Sequence, residues 1–78
     1  MSKTHHELKL VEPYWTQVLE GRKTFEIRLN DRDFKEGDFV ILRHYNPMSG
    51  NFESGLMVRE IGVVLDYKQK NGITGLYI

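Results

Sequence analysis

Apolar and polar residues alternate in two short segments of the chain, and a period of two residues is typical of β-strands. The first segment is His6–Leu10, in which His6, Leu8 and Leu10 share one side. The second is Lys23–Leu29, which separates an apolar side from a polar side: Phe25, Ile27 and Leu29 against Thr24, Glu26 and Arg28. We predict a strand at each segment.

A short helix is predicted between these two strands. Apolar residues there follow the i, i+3, i+4 spacing of one buried helix face: Tyr14, Trp15, Val18 and Leu19. The predicted helix covers Pro13–Glu20, because proline is favoured in the first turn and Gly21 suits a left-handed helix end. A helix of two turns is unstable alone in water, so it must pack against a sheet.

The remaining pattern consists of strands and turns. It predicts a central or barrel strand at Phe39–Leu42, followed by a long hairpin turn at Asn46–Asn51. An extended segment, bent at Gly62, covers Leu56–Tyr67. A polar turn at Lys68–Gly72 and a terminal strand at Ile73–Ile78 complete the chain. Short connections favour antiparallel pairing, and a small sheet without covering helices tends to close. We therefore predict a mainly β (α+β) fold. We expect a compact β-barrel of about five strands, with one helix after the first strand plugging an end. We also expect residues 5–78 to form one domain and residues 1–4 to form a disordered tip.

Composition narrows the classes of protein that are possible. The chain has 78 residues, of which 40% are hydrophobic, enough for one compact domain and too few for a two-domain cofactor enzyme. Cysteine is absent, which excludes a disulfide scaffold and a Cys-ligated metal site. Eleven basic and eleven acidic residues give a formal net charge of zero, so any nucleic-acid contact must come from a local patch. With no secretory leader and no membrane span in the sequence, we expect a cytoplasmic protein.

The densest polar segment, Gly21–Asp33, holds the candidate chemistry. It places Glu26 and Arg28 on one strand face with Thr24 beside them. One interpretation is a solvated strand face whose ion pair is worth less than about 1 kcal/mol. The other is a polar cleft, covered by the helix and the loop Asn30–Asp33, in which the Glu–Arg pair holds the hydrogen-bonding edge of a ligand. Spacing alone leaves both open.

The pattern Gly21-x-Lys23-x-x-Glu26-x-Arg28 resembles the G-x-K-x-x-E-x-R pattern of ASCH domains, which belong to the PUA-like superfamily. From His6 to about Tyr67 the chain is also similar to one small bacterial and phage family of that superfamily. The motifs that carry this similarity are His6-Glu7-Leu8-Lys9, Pro13-Tyr14, Gly21 to Arg28, Asn30 to Phe34, Gly37-Asp38 and Leu42-Arg43. The resemblance implies a PUA-like barrel with a ligand cleft beside the first helix. It also implies RNA binding, or binding and processing of a modified nucleoside.

One branch of ASCH domains hydrolyses an acetylated cytidine, and the resemblance implies that Lys23 matches the lysine of its site. That branch has a threonine at the position of Glu26 and a more distant glutamate, for which Glu60 is the candidate here. A carboxylate in place of the hydroxyl removes the nucleophile and can at most activate water. A small amidohydrolase acting on acylated nucleosides, with Lys23, Glu26 and Glu60 as its residues, is therefore one alternative.

Binding of RNA or a nucleotide-like ligand without catalysis is the function that we predict first. Guanidinium groups suit bidentate hydrogen bonds to phosphates and base edges, and exposed aromatic rings can stack on unpaired bases. Trp15 is expected in the core, which leaves Tyr14 as the better stacking candidate. The predicted ligand-binding residues are Lys23, Glu26, Arg28, Arg32, Tyr14, His6 and Lys9.

A protein-interaction module is the second alternative, and its signature would be an exposed apolar patch or an open strand edge. We expect no cofactor and no metal site. Adjacent residues of a strand point to opposite faces, so His5 and His6 cannot readily chelate one ion. We also expect a monomer that makes no membrane contact.

Overall fold

The computed structural model of the chain describes residues 3–29, 32–66 and 73–78. It contains one helix and six strands: β1 (His5–Leu10), α1 (Tyr14–Leu19), β2 (Phe25–Leu29), β3 (Phe39–Asn46), β4 (Asn51–Glu60), β5 (Val63–Asp66) and β6 (Ile73–Tyr77). The predicted mainly β fold with one helix after the first strand is confirmed. The predicted turn at Lys68–Gly72 lies outside the described residues, as do Asn30 and Asp31.

The strands form two three-stranded sheets, in the orders β1-β3-β4 and β2-β6-β5. β3 is central in the first sheet, as its two apolar faces predicted. β1 and β3 pair in parallel, which differs from the antiparallel arrangement that the short connections favoured, whereas the other three strand pairs are antiparallel. The reason is the long connection between β1 and β3, since α1 and β2 supply the crossover that a parallel pair requires. No ladder joins the two sheets among the described residues, so the predicted barrel is not closed.

The chain passes from the first sheet to the second at Ile61–Gly62, between β4 and β5. Ile61 is fully buried there, its N–H donates to the carbonyl of Asp38 at 2.7 Å, and its carbonyl accepts from Gly37 N–H at 2.8 Å. Gly62 N–H donates to the carbonyl of Tyr77 in β6 at 2.8 Å. The bend predicted at Gly62 is confirmed, and it links the two sheets.

One hydrophobic core lies between the sheets and the helix. Its buried side chains are Leu8, Leu10, Trp15, Val18, Phe34, Val40, Leu42, Met57, Ile61 and Leu76. α1 contributes Trp15 and Val18 to this core, which explains why so short a helix is stable. β1 has the predicted alternation, with His6, Leu8 and Leu10 buried.

β2 turns its polar side inwards. The exposed fraction of Glu26 is 8%, whereas those of Phe25 and Ile27 are 45% and 55%. The alternation predicted from the sequence is therefore present, and the polar side is covered at Glu26 and partly at Arg28, while Thr24 is exposed. Of the two interpretations of this strand, the solvated polar face is wrong for Glu26.

Thr4 bonds to the first sheet and to Asp38 just before β1 begins. Its N–H donates to Asp38 Oδ1 at 3.2 Å, and its carbonyl accepts from Phe39 N–H at 2.9 Å. The described helix has six residues, and no helix in the described part of the chain is long and apolar enough to cross a membrane.

Candidate functional site

Glu26 lies at the centre of a three-membered ion cluster on the inner side of β2. Its Oε1 accepts from Lys23 Nζ, and its Oε2 accepts from Arg28 Nε at 2.9 Å and lies 2.8 Å from Arg28 Nη2. The side chains of Lys23, Glu26 and Arg28 are exposed by only 16%, 10% and 28%. A carboxylate as buried as this requires such partners, because an unpaired buried charge is very costly.

The end of α1 places Lys23 in this cluster. Gly21 adopts a left-handed φ of 79°, and its N–H donates to the carbonyl of Val18 at 3.0 Å. The N–H groups of Arg22 and Lys23 both donate to the carbonyl of Gln17, at 2.9 and 3.0 Å. This glycine-dependent helix end, predicted at Gly21, turns the chain so that the Lys23 side chain points towards Glu26.

The ion cluster forms one wall of a cavity of about 540 Å³ between β1, α1 and β2, which we call the cleft. The described residues that line the cleft are Lys9, Leu10, Val11, Tyr14, Lys23, Glu26, Ile27 and Arg28. Tyr14 is 47% exposed at this cavity, and Lys23 Nζ lies 5.6 Å from the centroid of its ring. The cleft therefore brings together five of the predicted ligand-binding residues.

Several hydrogen-bonding groups of the cleft remain available to a ligand. Lys23 Nζ donates to the carbonyl of Phe25 at 2.8 Å and to the carboxylate of Glu26. These two bonds use two of the three N–H groups of the Lys23 ammonium. Arg28 donates to Glu26 and, through Nη2, to the carbonyl of Lys9, so its Nη1 has no hydrogen bond to a described residue. Glu26 retains lone pairs on both oxygens. Donors and an acceptor thus lie side by side, as the edge of a nucleobase requires.

A second cavity of about 250 Å³, which we call the basic cavity, adjoins the cleft. Lys9 and Arg28 line both cavities. The other described residues of the basic cavity are Glu7, Leu8, Arg32, Arg43 and Phe52. Arg32 reaches it by donating from Nη1 to the carbonyl of Glu7, just as Arg28 donates to the carbonyl of Lys9. Two arginines therefore bind alternate carbonyls of β1.

With this geometry, comparison with known proteins gives the family. A profile of the family described as "Domain of unknown function (DUF3850)" matches residues 5–78. The chain belongs to this family. Over 40 residues it is also 45% identical to the "Uncharacterized 12.9 kDa protein in GpA 3'region" of Escherichia phage P2. That match covers 51% of this chain and 37% of the phage relative, so the similarity extends over little more than a third of the relative's length.

In this DUF3850 chain, His6, one of the predicted ligand-binding residues, lines neither the cleft nor the basic cavity. His6 is 6% exposed, its ring packs against Phe34 at 4.7 Å, and its Nε2 lies 2.9 Å from Asp38 Oδ2. The hydrogen bond from His6, together with those from the N–H groups of Thr4 and Lys35, holds the pKa of Asp38 below its usual value. His6 thus has a structural contact within the fold.

Glu60, named as the distant acid of an amidohydrolase, lies outside the cleft. It is exposed and pairs with Phe39, which itself pairs with His5 at the far end of β1 from Lys9. His5 and Lys9 are four positions apart along β1, or roughly 13 Å. Thr24, the hydroxyl nearest to Lys23 in sequence, is exposed.

A further cavity of about 590 Å³ lies beside the hairpin of β3 and β4, lined by Glu12, His44, Tyr45, Asn46, Pro47, Met48, Glu53 and Ser54. His44 stacks on Trp15 at 4.7 Å, and its Nε2 lies 3.4 Å from Glu12 Oε1. The described lining has two carboxylates and no lysine or arginine, which disfavours anionic ligands. Within residues 3–29, 32–66 and 73–78, no three His, Asp or Glu side chains gather closely enough to hold a metal ion.

Four residues that line the basic cavity were not among the predicted site residues: Glu7, Leu8, Arg43 and Phe52. Arg43 follows directly on the apolar run of β3, and Phe52 follows the hairpin turn, so neither belongs to a polar cluster in the sequence. They meet Lys9 only because β1 pairs with β3 and β3 pairs with β4. The resemblance included Leu42-Arg43, which was the one available signal for Arg43.

Proposed function

We propose that this protein binds RNA or a nucleotide-like ligand in the cleft without catalysis, as a cytoplasmic protein. The observation that carries the proposal is the buried carboxylate of Glu26 between Lys23 and Arg28, inside a cavity that also exposes an aromatic ring. Burying charged groups costs desolvation free energy, so a cluster of buried charges at a cavity is a candidate for ligand recognition.

The chemistry of the cleft suits a nucleobase. Glu26 can accept a hydrogen bond from an exocyclic amine, while the available N–H groups of Lys23 and Arg28 can donate to ring nitrogens or carbonyl oxygens. Tyr14 offers an exposed ring on which a base can stack. The segment from Gly21 through Arg28 resembles the ASCH pattern, and this resemblance supports the same class of ligand.

The hydrolase alternative receives less support. Both oxygens of Glu26 are held by cations, and a carboxylate at this position supplies no hydroxyl nucleophile. Glu60 lies outside the cleft, so it could not act on a group bound beside Lys23. We therefore place Lys23 and Glu26 in recognition of the ligand.

The test is a titration with ribonucleosides, ribonucleotides and short single-stranded RNAs, followed by melting temperature and affinity. A ligand that binds only the folded state must raise the melting temperature. We expect Arg28→Gln to weaken binding by about 1–3 kcal/mol and Arg59→Gln to leave it unchanged. Arg59 is the control because it donates to the Val58 carbonyl and lines neither cavity. Equal affinities for the two variants would remove Arg28 from the site.

A protein partner is a second candidate, favoured by the outer face of the second sheet. Five apolar side chains there are at least 38% exposed: Phe25, Ile27, Val63, Leu65 and Tyr77. Phe25 and Val63 both pair with Tyr77, so these three form one row across the sheet. Exposed contiguous apolar surface is typical of interaction sites.

This candidate predicts capture of a protein from nuclease-treated extract that Val63→Glu abolishes and Arg59→Gln does not. Val63 is suitable because it is 42% exposed and lines neither the cleft nor the basic cavity. Capture that nuclease removes, or that Val63→Glu leaves intact, would rule out this face as the docking site.

A further inference from the structure

The basic cavity concentrates positive charge in a chain whose formal net charge is zero. Its described lining includes four cationic side chains, Lys9, Arg28, Arg32 and Arg43, and one carboxylate, that of Glu7. Lys9 and Arg43 occupy directly opposed positions on β1 and β3. Glu7, whose Oε1 lies 3.0 Å from Arg43 Nη1, offsets part of this charge. A bound anion would offset the charge that remains.

Three of these cations keep hydrogen-bond donors that contact no described residue. Lys9 Nζ has no hydrogen bond to a described residue and lies 4.5 Å from the centroid of the Tyr45 ring. Arg43 donates to Glu7 Oε1 through Nη1 at 3.0 Å, which leaves its Nη2 and Nε. Arg28 leaves its Nη1. Phosphate oxygens are the acceptors that such groups bind best.

Aromatic rings hold two of the cations at the wall of the basic cavity. Arg43 Cζ lies 4.1 Å from the centroid of the Phe52 ring, and Phe52 contacts Tyr45 edge to face at 5.2 Å. Cation–π contacts attract the charged head of a side chain without using its N–H groups. The donors of Lys9 and Arg43 thus remain available while the rings restrict where the side chains go.

We propose that the basic cavity binds a phosphate group of the same ligand whose base occupies the cleft. Lys9 and Arg28 line both cavities, so one molecule can span them, whereas Arg43 lines the basic cavity alone. The proposal rests on the function proposed above. It narrows the ligand class from nucleosides to phosphate-bearing nucleotides, supplied either as a nucleoside monophosphate or as a phosphodiester of RNA.

The test measures affinities of the 78-residue chain for ribonucleosides, for their 5′-monophosphates and for a mixed-sequence RNA of about ten nucleotides. Two variants are compared, Arg43→Gln and Arg59→Gln, which each remove one positive charge. Arg59 lies on β4, contacts Met57 Sδ at 3.5 Å through Nη2, and lines neither cavity. Glu26→Gln is measured in parallel as the variant that alters the cleft.

We expect Arg43→Gln to weaken binding of the monophosphates about tenfold and to leave nucleoside affinity within about twofold, because a nucleoside has no phosphate. For RNA, the slope of log affinity against log salt falls in magnitude by about one. Arg59→Gln leaves all three affinities unchanged. Tighter binding of the monophosphate than of the RNA identifies a terminal phosphate, and the reverse order identifies a phosphodiester.

The phosphate site is overturned if monophosphates bind no more tightly than nucleosides, or if the two arginine variants behave alike. Nucleoside binding that Glu26→Gln weakens would in that case leave the proposed function standing. A titration with pyrophosphate tests the opposite case, in which the phosphate site exists but the proposed function is wrong. If pyrophosphate raises the melting temperature of the natural sequence but not that of Arg43→Gln, while no nucleoside or RNA binds, the phosphate site stands and the proposed function is wrong.

Discussion

Glu26 is the residue on which the cleft depends, because it neutralises two cations that are themselves largely covered. Removing one partner of a buried ion pair leaves the other charge uncompensated, which usually costs more than the pair contributes. Lys23 and Arg28 keep some contact with water, exposed by 16% and 28%, so the cost is lower here than for a fully buried pair.

We predict that Glu26→Gln lowers the free energy of unfolding by about 1–3 kcal/mol, measured by urea denaturation at neutral pH. Glu60→Gln is the matched control, since Glu60 is exposed and its variant should stay within about 0.5 kcal/mol of the natural sequence. Equal losses for the two variants would mean that the ion cluster contributes nothing particular to stability.

Asp38 gives a prediction about acid stability. Its pKa is lower in the folded chain than the usual 3.8, mainly because His6 donates to it. A lowered pKa stabilises the fold above about pH 4, and this contribution is lost as the pH falls from about 4 through the folded-state pKa. We therefore expect the stability difference between the natural sequence and Asp38→Asn to shrink as the pH falls below about 4. Urea titrations at each pH measure it, and a difference that grows in acid would contradict the assignment.

The junction between α1 and β2 depends on Gly21, because its φ of 79° is unfavourable for any residue with a Cβ. A Cβ built at Gly21 meets nothing within 4 Å, and the same holds at Gly50, whose φ is 73°. We predict that Gly21→Ala and Gly50→Ala each lower the unfolding free energy by about 1 kcal/mol, from backbone strain alone. Only Gly21→Ala should also weaken nucleotide binding, because Lys23 follows this turn. Titrations of both variants would show it, and equal affinities would separate the turn from the site.

The local sequence pattern predicted the helix and the strands well, but it predicted their pairing and the direction in which they face less well. The helix, its glycine end and the alternation of β1 and β2 are set by residues a few positions apart, so they were predictable. The direction in which β2 faces was not, because it depends on which side of the strand α1 and β1 cover. The parallel pairing of β1 with β3 also went unpredicted, since hydrophobic periodicity is the same for both strand directions.

The same distinction separates the two cavities. Lys23, Glu26 and Arg28 lie within six positions of one another, so their cluster could be proposed from sequence. Lys9, Arg28 and Arg32 of the basic cavity were also among the predicted ligand-binding residues, but Arg43 was not, because it joins them only through the pairing of β1 with β3. A chain with zero net charge can therefore present a strongly basic surface once its strands are paired, and net charge excludes less than it first suggests.

The two sheets share one core, and Ile61 lies where the chain passes directly from β4 of the first sheet to β5 of the second. It is fully buried, and its backbone bonds to Asp38 and Gly37 anchor the crossing to the first sheet. Since a single core draws on both sheets and on α1, we expect the molecule to unfold in one cooperative step.

We predict that Ile61→Val lowers the free energy of unfolding by about 1 kcal/mol, and that the urea midpoint shifts equally by fluorescence of Trp15 and by far-ultraviolet circular dichroism. Trp15 is the single tryptophan and reports on the contact of α1 with the core, whereas dichroism averages over both sheets. Ile27→Val makes the same change at a position 55% exposed, so it should cost less than about 0.5 kcal/mol. If the two probes separate in Ile61→Val, the sheets unfold independently, and the crossing at Ile61 does not join them into one unit.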